Sequence, residues 1–142
     1  MINVSRIDIY DYLYNLLFGV VTENVYYMDV PEELTDSDTE EGFIVINVGD
    51  IVDHGEFSKQ SYGTVRCFLT AYIPQISRGR VNREIYALFE NGIENIIEEQ
   101  SQTSDGQYSI AEDSVLSMDG TDSSTSDNSY FTYVKSFVVT IN

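Results

Sequence analysis

The chain has one cysteine, one histidine and only seven lysines and arginines among 142 residues. Each scarcity excludes something. A lone Cys67 rules out an internal disulfide and any zinc site built from cysteines, and it points to folding in a reducing cytoplasm. A lone His54 is the only base from which Ser/His/Asp or Cys/His chemistry could be assembled, and no nucleophile elbow accompanies it. There is no glycine loop of the kind that cradles phosphate. No apolar run approaches the ~18 residues needed to cross a bilayer, so no membrane partner is expected. The opening segment MINVSRIDIYDYLYNLLFGVV carries acids within its apolar part and ends in no small-residue cleavage site. It reads as mature structure rather than a signal peptide.

What is present is apolar mass and negative charge. Hydrophobic residues make up 42% of the chain and aromatics 13%, the composition of a folded domain. One domain over residues 1–142 is expected, burying roughly 70% of its unfolded surface. Asp and Glu number 24, for a net charge of −17. Self-repulsion of that size opposes a compact monomer and disfavours tight binding to DNA or anionic lipid. The charges are also segregated. All the acids lie within residues 7–58 and 84–134, which contain no Lys or Arg. Between them, residues 59–83 carry Lys59, Arg66, Arg78, Arg80 and Arg83 and no acid.

Hydrophobic spacing predicts the elements. Over residues 6–21, Ile9, Leu13, Leu16, Leu17 and Val20 recur at helical intervals, with Ser5 as N-cap, Asp8 in the first turn and Gly19 near the end. A short apolar patch, VYYMDV, precedes Pro31. Residues 43–52 and 64–73 read as two strands pairing as an antiparallel hairpin. Val65, Cys67, Leu69, Ala71 and Ile73 share one face of the second strand, and Pro74 ends it. Residues 80–99 form a helix of about 30 Å. Its stripe is Val81, Ile85, Leu88, Phe89, Ile93, Ile96 and Ile97, and Gly92 permits close packing. Residues 108–118 and 130–141 supply a second hairpin. The expected fold is α+β: a mostly antiparallel sheet of about four strands in two long hairpins, with two helices packed on one face. Extended loops are expected at 29–42 and 119–129.

The candidate chemical sites are weak. Asp53, His54 and Glu56 fall in DHGE, where Gly55 favours a hairpin turn over a metal site. Cys67 lies in mid-strand among apolar alternates, the position of a buried structural thiol. An EF-hand loop needs acids at positions 1, 3 and 5, glycine at 6 and glutamate at 12. DSDTEE supplies Asp36, Asp38 and Glu40, but Glu41 then stands at the glycine position and Asn47 at the last. In the serine-rich stretch MDGTDSSTSDNSY, Asp119, Asp122 and Asp127 are spaced too widely for that loop. No metal, cofactor or catalytic residue is therefore assigned. Arg78, Arg80 and Arg83 gather at the start of the second helix, where they suit either an anion or a neighbouring subunit.

The pieces VYYMDVPEE, GFIVINVGD, GTVRCFLTAYIP, VNREIYALFENGIENII and YFTYVKSFVVTIN follow one another in a telling order. A helix leads to a short strand ending near VP. A long hairpin, a second long helix and a final hairpin whose last strand closes the chain come after it. Over nearly the whole chain this order resembles the tail-terminator and tail-completion proteins of tailed bacteriophages. The resemblance implies a structural protein of the virion, made in the host cytoplasm, with no catalytic residues. It implies a ring, hexamer or dodecamer, in the head–tail connector or at the tail terminus. Its partners would be neighbouring connector, portal-adaptor or tail-tube proteins, with DNA passing through the lumen without tight binding.

A cyclic ring joins one patch to a different patch on the next copy. The segregated charges suit such a contact. Arg66, Arg78, Arg80 or Arg83 of one copy would meet acids of the next, from Asp36, Asp38, Glu40 and Glu41 or from Asp119, Asp122 and Asp127. The charge also supports another reading, an acidic DNA-mimicking inhibitor of a DNA-binding protein, against which the basic block counts.

Overall fold

The computed structural model describes residues 4–54, 62–77, 79–102, 107–112, 118–122 and 130–142, with side chains at 102, 112 and 118–122 left aside. The elements in chain order are α1 (Arg6–Leu17), β1 (Val25–Tyr27), α2 (Asp36–Glu41), β2 (Phe43–Val48), β3 (Val52–Asp53), β4 (Gly63–Ser77), β5 (Arg80–Val81), α3 (Arg83–Gln102), β6 (Tyr108–Glu112), β7 (Met118–Asp122) and β8 (Tyr130–Ile141).

The sheet runs β1-β2-β4-β8-β6, with β3 and β5 alongside β4 and β7 alongside β8. It is mixed: β1 pairs parallel with β2, whereas the other pairs are antiparallel. The expected hairpin is present, with rungs from Phe43↔Tyr72 to Val48↔Cys67. The sheet is nevertheless larger than the four strands expected, and partly parallel. The reason is β4, which outruns β2 and takes β3 and β5 as further partners, while β8 pairs with both β6 and β7.

Pro74 does not end β4. It falls where β4 changes neighbour from β2 to β5, and its carbonyl accepts from the Asn82 N–H at 3.3 Å. A break in the ladder is where proline's missing donor costs least. The expected loop at 119–129 is shortened, because residues 119–122 belong to β7 and pair with β8. The expected loop at 29–42 contains α2. Its N-cap is Thr35, whose Oγ1 accepts from Asp38 N–H at 3.1 Å while the Asp38 carboxylate accepts from Thr35 N–H at 2.9 Å.

α1 and α3 pack on one face of the sheet. Ile9, Leu13 and Leu17 of α1 and Phe89, Ile93, Ile96 and Ile97 of α3 share a core with Ile44, Ile46, Val65, Cys67, Leu69, Ala71, Ile73, Phe137 and Val139. Alternation along β4 therefore turns the expected face inward. Ser5 caps α1, its N–H donating to Asp8 Oδ2 at 2.8 Å. Tyr12 of α1 donates to Gln100 of α3 at 2.7 Å, tying the helices together. Two members of the predicted stripes stand outside: Val20 is 71% exposed and Leu88 56%. α1 ends at Leu17, before Val20, and Leu88 lies about 100° around α3 from Phe89, outside the arc of about 120° that holds Ile85, Phe89, Ile93, Ile96 and Ile97.

On the opposite face a smaller cluster of Phe43, Val45 and Tyr130 is covered by Tyr26, Val30, Leu34 and Tyr72. The 29–42 segment thus carries apolar anchors of its own. Gly42 follows α2 with φ +84°, and a Cβ there would lie 2.5 Å from the Tyr72 carbonyl oxygen and 2.8 Å from the Phe89 ring. Gly92 lets α3 close on the turn after α1, since a Cβ would lie 2.8 Å from Val21.

Two substitutions test this packing in equilibrium urea unfolding. Phe89→Ala removes a fully buried ring and should cost about 3–5 kcal/mol. Gly42→Ala combines a left-handed backbone with a backbone clash and should cost at least about 1–3 kcal/mol. A loss below about 0.5 kcal/mol for Phe89→Ala would contradict the placement of α3 on the sheet.

Candidate functional site

The basic block builds an arm. Beyond its last rungs with β2 (Tyr72↔Phe43) and β8 (Pro74↔Tyr130), β4 continues and folds back as β5, with rungs Gln75↔Val81 and Ser77↔Arg80. Val81 packs partly buried against the main core. The register shifts between Gln75 and Ser77, and Ile76 and Arg80 line one hollow beside the arm. Ile76 is 73% exposed, the highest value among the large apolar residues described. Arg80 is exposed, and so is Arg83 in the first turn of α3. None of the described residues forms an ion pair with Arg80 or Arg83. A hollow of about 690 Å³ follows the root of the arm, lined by Ile76, Gly79, Arg80, Val81, Asn82, Arg83 and Glu84. Asn82 caps α3, its Oδ1 accepting from Ile85 N–H at 3.3 Å. Arg66 lies elsewhere, in mid-β4 opposite Val138, exposed but engaged within the chain. Arg78 lies outside the described residues.

The acids of α2 divide into two kinds. Asp36, Glu40 and Glu41 are exposed. Asp38 is fully buried, and the Tyr26 hydroxyl lies 2.7 Å from each of its oxygens. With the Thr35 N–H bond, its carboxylate is committed inside the chain, so Asp38 pins α2 to β1 and is withdrawn from any surface contact. Burial first, and then the bond to Asp38, push the Tyr26 hydroxyl up to about 12. The final hairpin's acids are not gathered with these. Asp119 and Asp122 are backbone rungs opposite Tyr133 and Tyr130, and Asp127 lies outside the described residues.

Between α2, α3 and the turn after α1 lies a groove of about 360 Å³ that the sequence reading did not foresee. Val21, Ile85, Leu88 and Phe89 make its apolar lining, and Thr22, Glu23, Ser37 and Glu41 its polar rim. Both acids on the rim are exposed, with Glu41 accepting from the Ser37 hydroxyl at 3.1 Å. The signal in the sequence was the adjacent pair Leu88–Phe89, which places one apolar residue beside the core-facing line.

The other candidates have structural roles. Cys67 is buried, and burial pushes its thiol up to about 12, far from a ready thiolate. The His54 ring bonds the Thr64 hydroxyl through Nε2 at 2.8 Å and stacks on Tyr62 at 4.8 Å, while the His54 backbone N–H donates to the Tyr62 carbonyl at 2.8 Å. These contacts close the neck of the hairpin read in DHGE, whose Gly55 and Glu56 lie outside the described residues. Among the described residues, no group of three His, Cys, Asp or Glu is placed to hold a metal ion. No helix among them is long and apolar enough to cross a membrane.

The class so defined is an α+β protein with a mixed sheet, α1 and α3 on one face, a basic hairpin arm and an acid-rimmed groove. No protein-family model matches the chain, and no curated protein matches it.

Alkaline titration tests the Tyr26–Asp38 lock. Tyr12, Tyr26 and Tyr27 are each raised from 10.0 to about 12, mainly by burial. A raised value means the folded state holds the neutral form. That stabilisation is whole below pH 10 and is lost as pH rises through 12. Unfolding in base should therefore coincide with tyrosinate absorbance. Tyr26→Phe should cost about 1–3 kcal/mol near neutrality, because it strips a donor from a buried carboxylate, and should make the alkaline decline shallower. An unchanged neutral stability would contradict the lock.

Proposed function

We propose that this chain is a structural subunit of a tailed-bacteriophage virion, assembling into a ring in the head–tail connector or at the tail terminus. The observation that carries the reading is the separation of unlike surfaces on one subunit. Ile76 and Arg80 on the arm and Arg83 at the start of α3 stand without a described ionic partner, and Asp36, Glu40 and Glu41 stand on α2. A patch that differs from its complement generates rings or filaments rather than two-fold pairs. The order of elements, which resembles the tail-terminator family, supports the same reading.

The charge then has a use. The basic arm is consumed at the closing contact, and the surplus acids line the channel. DNA passes a negative wall without being held by it. Exposed ion pairs contribute only ~0–1 kcal/mol each, so they set register while apolar contact supplies affinity.

Arg80→Glu with Arg83→Glu should abolish closed rings in negative-stain images while leaving the circular dichroism of the monomer unchanged. Wild-type rings from the double variant would show that the arm is not the closing surface. Tight binding of isolated rings to duplex DNA at physiological salt would contradict the negative lumen. Inhibition of a nuclease by the monomer would favour the DNA-mimicking reading instead.

A further inference from the structure

We infer that the groove between α2 and α3 receives the β4–β5 arm of a second copy of this chain, with Ile76 seated against Leu88 and Ile85 and Arg80 facing Glu23 and Glu41. The inference rests on the assembly reading above and adds the two surfaces that meet.

Shape and chemistry select the occupant. The groove, at about 360 Å³, is near the small end of the ~300–1,000 Å³ typical of ligand sites, and it suits an inserted side chain better than a small molecule. Its lining is apolar, and its only charged residues are the carboxylates of Glu23 and Glu41. The guest should therefore be one aliphatic group beside one cation. The chain itself carries that pair: Ile76 and Arg80 line the same hollow beside the arm, both exposed. The arm does not fill its own groove. The hollow at the arm's root and the groove have no lining residue in common. Leu88, 56% exposed on a helix otherwise packed inward, and Ile76, 73% exposed, are each left in water by the single chain. Covering both at once, with charges matched at the rim, is the arrangement of a well-formed contact.

Sedimentation velocity over a concentration series tests it with the full chain. Ile76→Asp and Leu88→Asp alter exposed residues, so their urea midpoints should stay near wild type. Each should weaken association about tenfold or more, the effect of losing one buried aliphatic contact. At concentrations where the wild type just assembles, neither variant should assemble alone. Mixed, they should form one-to-one pairs and nothing larger, because Leu88→Asp keeps a working arm and Ile76→Asp a working groove. Independently, Arg80→Glu should weaken assembly up to about fivefold, and adding Glu23→Arg and Glu41→Arg in the same chain should restore it. If the wild type is monomeric at every concentration, both the assembly reading and this contact fail. If the wild type assembles and the variants assemble equally well, only the arm-in-groove contact is overturned. It is also overturned if the two single variants are each defective yet do not pair.

Discussion

The pairing of β4 with β8 is the constraint from which the rest of the architecture follows. Its rungs run unbroken from Gly63↔Ile141 to Pro74↔Tyr130, the longest register in the sheet. A one-residue slip would turn every inward side chain to the other face. Cys67, Leu69 and Ala71 would then leave the helices, and Arg66 and Thr70 would replace them. Because β4 has 15 residues, it exceeds each neighbour in turn. It meets β3 beside one end and β2 in the middle, and at the other end it has only β5 to pair with. The arm is thus a consequence of strand length: a strand that outlasts its sheet must either fray or fold back on itself.

The same pairing decides where an inward charge can be tolerated. Lys135 pairs with Leu69 on the helix-covered face, with its side chain only 13% exposed. It is held by Glu94 of α3 at 2.9 Å, and the Tyr133 hydroxyl donates to the same oxygen at 2.7 Å. A partly buried cation without that carboxylate would be costly. One of the chain's few cations is therefore spent inside, fixing α3 over β8. That leaves fewer for the outer surface, and of the described ones Arg80 and Arg83 lie together at the arm.

Much of this was legible in the sequence, and the failures have physical causes. The inward faces of β4 and α3 could be read because burial imposes a period, and Ile9, Leu13, Phe89 and Ile93 obey it. The Ser5 cap was readable from residue type. Helix α2 was missed because a six-residue helix of DSDTEE has no apolar stripe. Its signal was the Thr35–Asp38 cap, with Leu34 just ahead of it as an anchor. The arm was missed because residues 80–82 read as the first turn of the second helix, with Val81 on its stripe, whereas Arg80 and Val81 form β5 and the helix begins at Arg83; a two-residue strand leaves no period to detect. β7 was missed because MDGTD has no alternation of its own, and it is a strand because β8 offers it a free edge. Of the residues proposed for a subunit contact, Arg80, Arg83, Asp36, Glu40 and Glu41 are exposed, whereas Asp38 is buried. Charge counting treats every carboxylate alike. Whether one faces water or a tyrosine hydroxyl is set by tertiary packing, which no local pattern encodes.

The charge of −17 sharpens what any contact between copies must be. Two such subunits repel at long range, so electrostatics cannot draw them together as wholes. At physiological salt, however, the field decays over about 8 Å. Beyond that distance the total charge matters little, and within it only the facing groups count. A patch such as Ile76 with Arg80, or a groove with Leu88 between Glu23 and Glu41, can be attractive at contact on a molecule whose net charge is repulsive. Self-repulsion then acts as a filter. It penalises face-to-face encounters of like acidic surfaces and spares the one orientation in which a basic arm comes first. Segregation of sign along the chain would, in the proposed assembly, favour a single register between copies.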